Sequence, residues 1–197
     1  EGDSISIEDI NADGISEVVS TTTHDVNNCS SFYNYESKSG SLVSFDPAPY
    51  QICNHHSAGG YLFSSYREAG SWREDIYKKR NGLLVLSASD NCIGCGEVRR
   101  TVYRDGIPSG SMIVSDELSY FDRKPVVTRV TTRRAPLFNS ADPANVTTMY
   151  LVKGDVVNLL DYSENGDGWY KIRYEQRGGS MLTKWMRCND LAACDTQ

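Results

Sequence analysis

The chain has 197 residues, 39% hydrophobic and 23% charged, with a formal net charge of −6 and a mean hydropathy of −0.46. That length is enough for one or two domains with real cores. No apolar run approaches the roughly 20 residues of a membrane span, and the acidic balance argues against nucleic acid as a partner.

The charge is also uneven. Residues 1–122 hold 9 Lys/Arg against 18 Asp/Glu (net −9), and residues 123–197 hold 11 against 8 (net +3). The acidic front part suits a cationic partner or a bound metal. The chain opens at Glu1 rather than methionine, so a processed product with its signal peptide removed, or a trimmed piece, is expected.

The first informative stretch is Asp9-Ile10-Asn11-Ala12-Asp13-Gly14-Ile15-Ser16-Glu17. Oxygen-bearing side chains recur at alternate positions, as a loop wrapping a hard cation requires. Ca²⁺ takes six to eight oxygens at roughly 2.3–2.6 Å. Asp9, Asn11 and Asp13 would give side-chain oxygens, Ile15 its carbonyl, and Glu17 the closing carboxylate. Gly14 permits the positive φ of a sharp reversal. The loop is not an EF-hand, which closes with glutamate at its twelfth position; here that residue is Ser20. The plainer alternative is a hairpin turn with solvated acids.

Strand signals dominate the chain beyond this loop. Ser31–Glu36 alternates, Ser39-Gly40 marks a turn, and Ser41–Phe45 resumes. Tyr61–Tyr66 reads as another strand. Asp75–Arg80, Asn81-Gly82 and Leu83–Leu86 give the strongest hairpin signal in the chain. Arg99–Arg104 with Asp105-Gly106 repeats it. Residues Glu68–Lys79 admit a short helix, but Gly70-Ser71 and the Asn-Gly turn favour strand.

Six cysteines, an even number, point to an oxidising compartment. Cys29–Cys53, Cys92–Cys95 and Cys188–Cys194 are the expected bridges, each closing a loop within its own region, among fifteen possible pairings. Cys92-Ile93-Gly94-Cys95 could alternatively be half a zinc site or a redox pair. It lacks a second Cys-x-x-Cys, and the nearest histidines, His55 and His56, lie far upstream.

Asp122-Arg123-Lys124-Pro125 reads as an inter-domain join. Beyond it, Val126–Val130, Ala135–Phe138, Met149–Leu160, Gly168–Tyr174 and Lys184–Met186 carry the apolar segments of a second, smaller β domain. Asp161, Glu164 and Asp167 could form a second metal loop, though a plain acidic turn explains them better.

Two resemblances rest on these residues. The loop Asp9–Glu17, the aromatics Phe32, Tyr33 and Tyr35 before Gly40, the pair Ile52-Cys53, and Trp72 with Tyr77 before Asn81-Gly82-Leu83 resemble periplasmic β domains. These carry one FG-GAP-like calcium loop and are related to lysozyme inhibitors and immunity proteins. In addition, Tyr150-Leu151-Val152-Lys153-Gly154-Asp155 with Gly168-Trp169-Tyr170-Lys171-Ile172 resembles the bacterial SH3 domain. One departure is Lys184 before Trp185, where that family usually has glycine.

The first resemblance implies a plug loop, for which Ser57-Ala58-Gly59-Gly60-Tyr61 is the candidate and Ser109-Gly110-Ser111 a weaker one. Ser57, Gly59, Gly60, Tyr61, Tyr66, Arg67 and Trp72 are the expected partner-binding residues, with burial in the core as the alternative for Tyr66 and Trp72.

The expected fold is all-β. It comprises an antiparallel domain over 1–122 with hairpins and a calcium loop, a small SH3-like β-barrel over 125–191, and a tail at 192–197. The expected function is that of a periplasmic, non-catalytic inhibitor or immunity protein. Its partner would be a secreted peptidoglycan hydrolase or another toxic effector delivered by a secretion system, such as a lipase. The alternative is a wall-binding module using the SH3 domain. An FG-GAP receptor or adhesin fragment ranks last, since such proteins show several tandem loops. A Cys–His nucleophile from Cys53 and His55 or His56 is conceivable, but no helical segment bearing the cysteine is evident; His24 completes the histidines.

Overall fold

The computed structural model describes residues 3–23, 25–166 and 168–194; His24 and Asp167 lie outside these. The fold is all-β and antiparallel, and the chain divides into two compact units, residues 1–110 and 111–197.

In the first unit, β1 (Ser4–Glu8), β2 (Glu17–Thr21), β3 (Cys29–Glu36) and β4 (Ser41–Phe45) form a meander, and the short β5 (Ile52–Cys53) pairs with β3. A second sheet comes next in the chain: β6 (His56–Ala58), β7 (Tyr61–Glu68), β8 (Ser71–Arg80), β9 (Leu83–Ile93), β10 (Glu97–Arg104) and the start of β11 (Ile107–Ser115). Each sheet turns one face inward, because alternate side chains of a strand share a face. Ile10, Val19, Phe32 and Ile52 meet Leu62, Tyr77, Leu84 and Leu86 there.

The hairpins are set by turn chemistry. Asn81 (φ 52°) and Gly82 (φ 73°) are both left-handed, as a type I′ turn requires, and Arg80 faces Leu83 across it. Asp105-Gly106 does the same between β10 and β11 (φ 51° and 77°). The segment with an alternative helical reading is strand. It turns at Ala69 (φ 47°) and Gly70 (φ 89°), with Glu68 opposite Ser71. All three expected disulfides form: Cys29–Cys53, Cys92–Cys95 and Cys188–Cys194.

On the outer face of the second sheet, Phe63, Ile76 and Ala88 are buried. Beside them the Arg100 guanidinium grips the Asp90 carboxylate with two parallel bonds of 2.7 and 2.6 Å. The two residues face each other across β9 and β10.

The second unit contains β12 (Val127–Arg129), β13 (Arg134–Phe138), β14 (Val146–Val152), β15 (Val156–Ser163), β16 (Trp169–Glu175) and β17 (Met181–Arg187), in the sheet order β12-β15-β16-β17-β13-β14. Its core includes Val130, Leu137, Leu159, Ile172 and Met186. Despite Lys184, β17 pairs with β16 along its whole length, and Lys184 Nζ donates to Asn139 Oδ1 at 2.6 Å.

The closed SH3-like barrel expected from sequence is not formed: this sheet is open between β12 and β14. Both edges are occupied locally instead. β12 has only three residues, and Val130, just past it, bridges to Leu191 and accepts from Gly154 N. Along β14, the Met149 amide donates to Thr147 Oγ1 at 3.1 Å and the Val152 amide to Asp155 Oδ2 at 2.9 Å.

Arg100→Ala leaves the buried Asp90 charge without its bidentate partner. The expected loss is about 3–5 kcal/mol of stability, read from the midpoint and slope of urea unfolding.

Candidate functional site

Loop 9–16 joins β1 to β2, and Glu8 faces Glu17 where the two strands close. Ile10 inserts into the core beneath it, 1% exposed. The loop therefore has a fixed apolar anchor while its polar side chains are gathered on themselves. Asp9 accepts from the amides of Asp13 (3.1 Å) and Gly14 (3.0 Å), Asn11 Oδ1 from Asp13 N (3.1 Å), and Asp13 Oδ1 from Ile15 N (2.8 Å). Gly14 takes φ 86°, the reversal that its sequence position demanded.

Glu17 is the most deeply buried of the set, 1% exposed against 4% for Asn11, and its Oε2 accepts from Ile10 N at 2.9 Å. Burial pushes its carboxyl up, and Asp13 and Asp9 add to this, while the Ile10 amide opposes it. The β8–β9 hairpin braces the loop from the side. Lys79 Nζ donates to Asp9 O at 3.3 Å, and a Cβ on Gly82 would lie 3.5 Å from Asp13.

The donor set is wholly oxygen, which suits a hard cation such as Ca²⁺ and no thiophilic metal. Among the described residues no three His, Cys, Asp or Glu side chains form a ready metal-ligand group. The aspartate oxygens are turned onto the loop's own amides, and Asn11 and the Ile15 carbonyl would have to complete the set. Asp161, of the other acidic stretch, accepts from the adjacent Tyr162 amide.

The expected partner-binding residues fall into two groups at opposite ends of β7. Ser57, Gly59, Gly60 and Tyr61 form the tight β6–β7 hairpin, exposed except for the partly covered Tyr61. Tyr66, Arg67 and Trp72 belong to the β7–β8 tip, where Arg67 faces Trp72 and Tyr66 faces Arg73. Tyr61 and Tyr66 stand five residues apart on β7, which separates the groups by roughly 17 Å at about 3.4 Å per residue. Trp72 is 37% exposed rather than core. Arg67 is held by Asn27, which accepts from its amide at 2.7 Å and donates to its carbonyl at 3.0 Å. Tyr66 is half-buried, donates to Asp75 Oδ2 at 3.1 Å, and is pushed up to about 12 by burial and then by the Asp75 charge.

The sulfur of Cys53 is spent in its bridge to Cys29. His55 lies between Ser30 Oγ (3.2 Å) and Glu8 Oε2 (3.4 Å), and His56 stacks on Phe63 with centroids 4.7 Å apart. Both histidines are thus engaged structurally.

Sequence reasoning passed over a cleft in the second unit. It holds about 390 Å³, lined by Ala141, Asp142, Pro143, Asn165, Gly166, Gly168, Trp169 and Arg187. Arg187 lies over the Phe138 and Trp169 rings, 5.6 Å from each centroid. Gly168-Trp169 was legible as a strand start, but its distant partner Arg187 was not.

No family model, curated protein or solved structure matches this chain.

This geometry makes two outcomes testable. Glu17→Ala strands the Ile10 amide in the core, for an expected loss of about 1–3 kcal/mol measured by chemical denaturation. The second concerns pH. Tyr66 ionises near 10.0 when unfolded and near 12 when folded, so its contribution to stability is complete below pH 10 and lost as pH rises toward 12. Urea midpoints taken across that window should fall, and the fall should be shallower in Tyr66→Phe.

Proposed function

We propose that the chain is a non-catalytic inhibitor or immunity protein of an oxidising, periplasm-like compartment, which binds and occludes a secreted peptidoglycan-degrading enzyme. The observation that carries this reading is the β7–β8 tip. An exposed tryptophan beside an arginine is unusual outside interfaces, where tryptophan and arginine supply much of the binding energy. Here the pair is rigid: it is cross-strand, turned by Ala69-Gly70, and fixed by Asn27. Rigidity lowers the ordering cost of binding. The acidic balance of the front part would steer a basic enzyme toward it. Three disulfides suit an oxidising compartment.

Calcium belongs to the same proposal as a structural ion. Asp9, Asn11, Asp13, the Ile15 carbonyl and Glu17 would hold it, and its charge would offset three crowded carboxylates. The residues of this chain do the rest: Ile10 anchors the loop and Lys79 ties it to the second sheet.

A second reading, a wall-binding module, is favoured by the Trp169–Arg187 cleft, whose aromatic floor and guanidinium suit a glycan or peptide stem.

The test is retention of periplasmic proteins on the immobilised chain, with calcium or with chelator, followed by a turbidity assay on purified sacculi. The expected result is a retained wall hydrolase that the chain silences, and Trp72→Ala should weaken that inhibition by at least about tenfold. Retention of sacculi with no effect on any hydrolase would overturn the first reading in favour of the second. For the ion, 5–10 mM is about the range to test: calcium should raise the melting temperature of the native chain and leave that of Asp9→Ala/Asp13→Ala unchanged.

A further inference from the structure

Of the three disulfides, Cys92–Cys95 differs from the others in place, access and span. It closes the β9–β10 tip, outside the cross-strand pairs Arg99–Asn91 to Val102–Ala88. The turn is also closed without it, because the Cys95 amide donates to Cys92 O at 3.2 Å. Just inside the tip, the Arg100–Asp90 pair holds the two strands together. The other bridges sit differently. Cys29–Cys53 ties β5 to β3, and Cys188 and Cys194 pack against the core of the second unit.

Cys92 is also set apart by its backbone. Trp72 faces Ile93 and Arg73 faces Asn91, so Cys92 is an extra residue in β9, a bulge. Its φ is 66°, a left-handed value that such bulges normally give to glycine. The bridge therefore holds a side chain where glycine is favoured, and opening it lets that residue relax. Its partner Cys95 is exposed, between Gly94 and Gly96. Nothing lies within 4 Å of where a Cβ on either glycine would stand, so an attacking thiol meets open space.

The span decides what opening costs the fold. A disulfide stabilises by constraining the unfolded chain, and the effect grows with about the 3/2 power of the loop length. The sequence separations are 3, 6 and 24. From chain entropy alone, losing Cys92–Cys95 lowers the folding equilibrium constant about twentyfold less than losing Cys29–Cys53. The C-x-x-C spacing supplies the remaining requirement. A thiolate released at Cys92 stays three residues from a mixed disulfide at Cys95 and can displace the attacker.

We propose that Cys92–Cys95 is a thiol–disulfide exchange site whose reductant is a dithiol, opening with both units folded while the other two bridges stay closed. The reductant's thiolate attacks Cys95 Sγ and forms a mixed disulfide, and Cys92 leaves as a thiolate that takes a proton. The reductant's second thiol then attacks its own mixed sulfur, and Cys95 leaves and takes the other proton. Two electrons have passed from the dithiol, now itself a disulfide, to the bridge. Because Ile93 faces Trp72, opening reaches the neighbouring β7–β8 tip, but the exchange itself does not depend on the hydrolase reading.

Dithiothreitol titration of the full chain tests it, with free thiols alkylated by iodoacetamide and located by mass spectrometry. Cys92 and Cys95 should be labelled together at dithiol concentrations at least about tenfold below those that label the other cysteines, with near-UV circular dichroism retained. Cys92→Ser removes the resolving sulfur, so Cys95 in that variant should hold one glutathione after exposure to oxidised glutathione. Cys92→Ser/Cys95→Ser should lower the urea midpoint less than Cys29→Ser/Cys53→Ser does. Labelling of all six cysteines together with loss of the near-UV signal, or earlier opening of either other bridge, would overturn the proposal. So would a folded Cys92→Ser variant that takes up no glutathione, which would make Cys92–Cys95 a structural clasp.

Discussion

The first unit depends on how β5 is tied to its neighbours. Two residues long, it makes the Cys29–Cys53 bridge to β3 and is stitched to β7 by a side chain: Ser64 Oγ accepts from Cys53 N at 3.0 Å and donates to Cys53 O at 3.4 Å. Asn54 continues the seam, donating to the carbonyls of Val26 and Ser65. A covalent link and a buried hydroxyl thus fix the first sheet against the second. Without that alignment Phe32 and Ile52 would not meet Leu62 and Tyr77, and the Asp9–Glu17 loop would lose the core on which Ile10 anchors it. The bridge closes a separation of 24 residues, long enough for a substantial reduction of unfolded-state entropy.

Given that frame, the chain separates stability from display. The apolar core occupies one end of the sandwich, around Ile10 and Leu84, and the polar cluster about Asp75 lies further along the same face. Loops and hairpin tips carry the groups available to other molecules: Trp72 and Arg67 on one tip, Gly59 and Gly60 on another. Such a division is common in binding proteins, where a rigid sheet scaffold positions short variable connections.

Local chemistry was readable in the sequence, and assembly was not. Asn81-Gly82 and Asp105-Gly106 announced their hairpins because positive φ has few tolerable residues. The cysteines announced their partners because each pair closes within one region. Ala69-Gly70 was harder, since alanine is a good helix former and only the strands on either side force it left-handed. The loop at Asp9–Glu17 was legible in its spacing and in its turn at Gly14. The inward burial of Glu17 and its Ile10 bond were not, because they depend on where β2 lies against the core. Barrel closure was expected from the resemblance of Tyr150–Asp155 and Gly168–Ile172 to the bacterial SH3 domain, whereas the sheet is open, with a short β12 and with Val130 engaged by Leu191 and Gly154. The Asp75 cluster left no sequence trace, as its members come from separate strands and only register brings them together.

The treatment of β14 has a consequence beyond the geometry of its own sheet. Its seven residues, Val146 to Val152, contain no charge, and Val146, Met149, Tyr150 and Val152 are exposed. A bare apolar edge of this kind is a template for runaway strand stacking between molecules. With the Met149 and Val152 amides already committed to Thr147 and Asp155, an incoming strand finds its ladder broken at two rungs. The resistance of this one edge to strand addition therefore rests on a single hydroxyl and a single carboxylate.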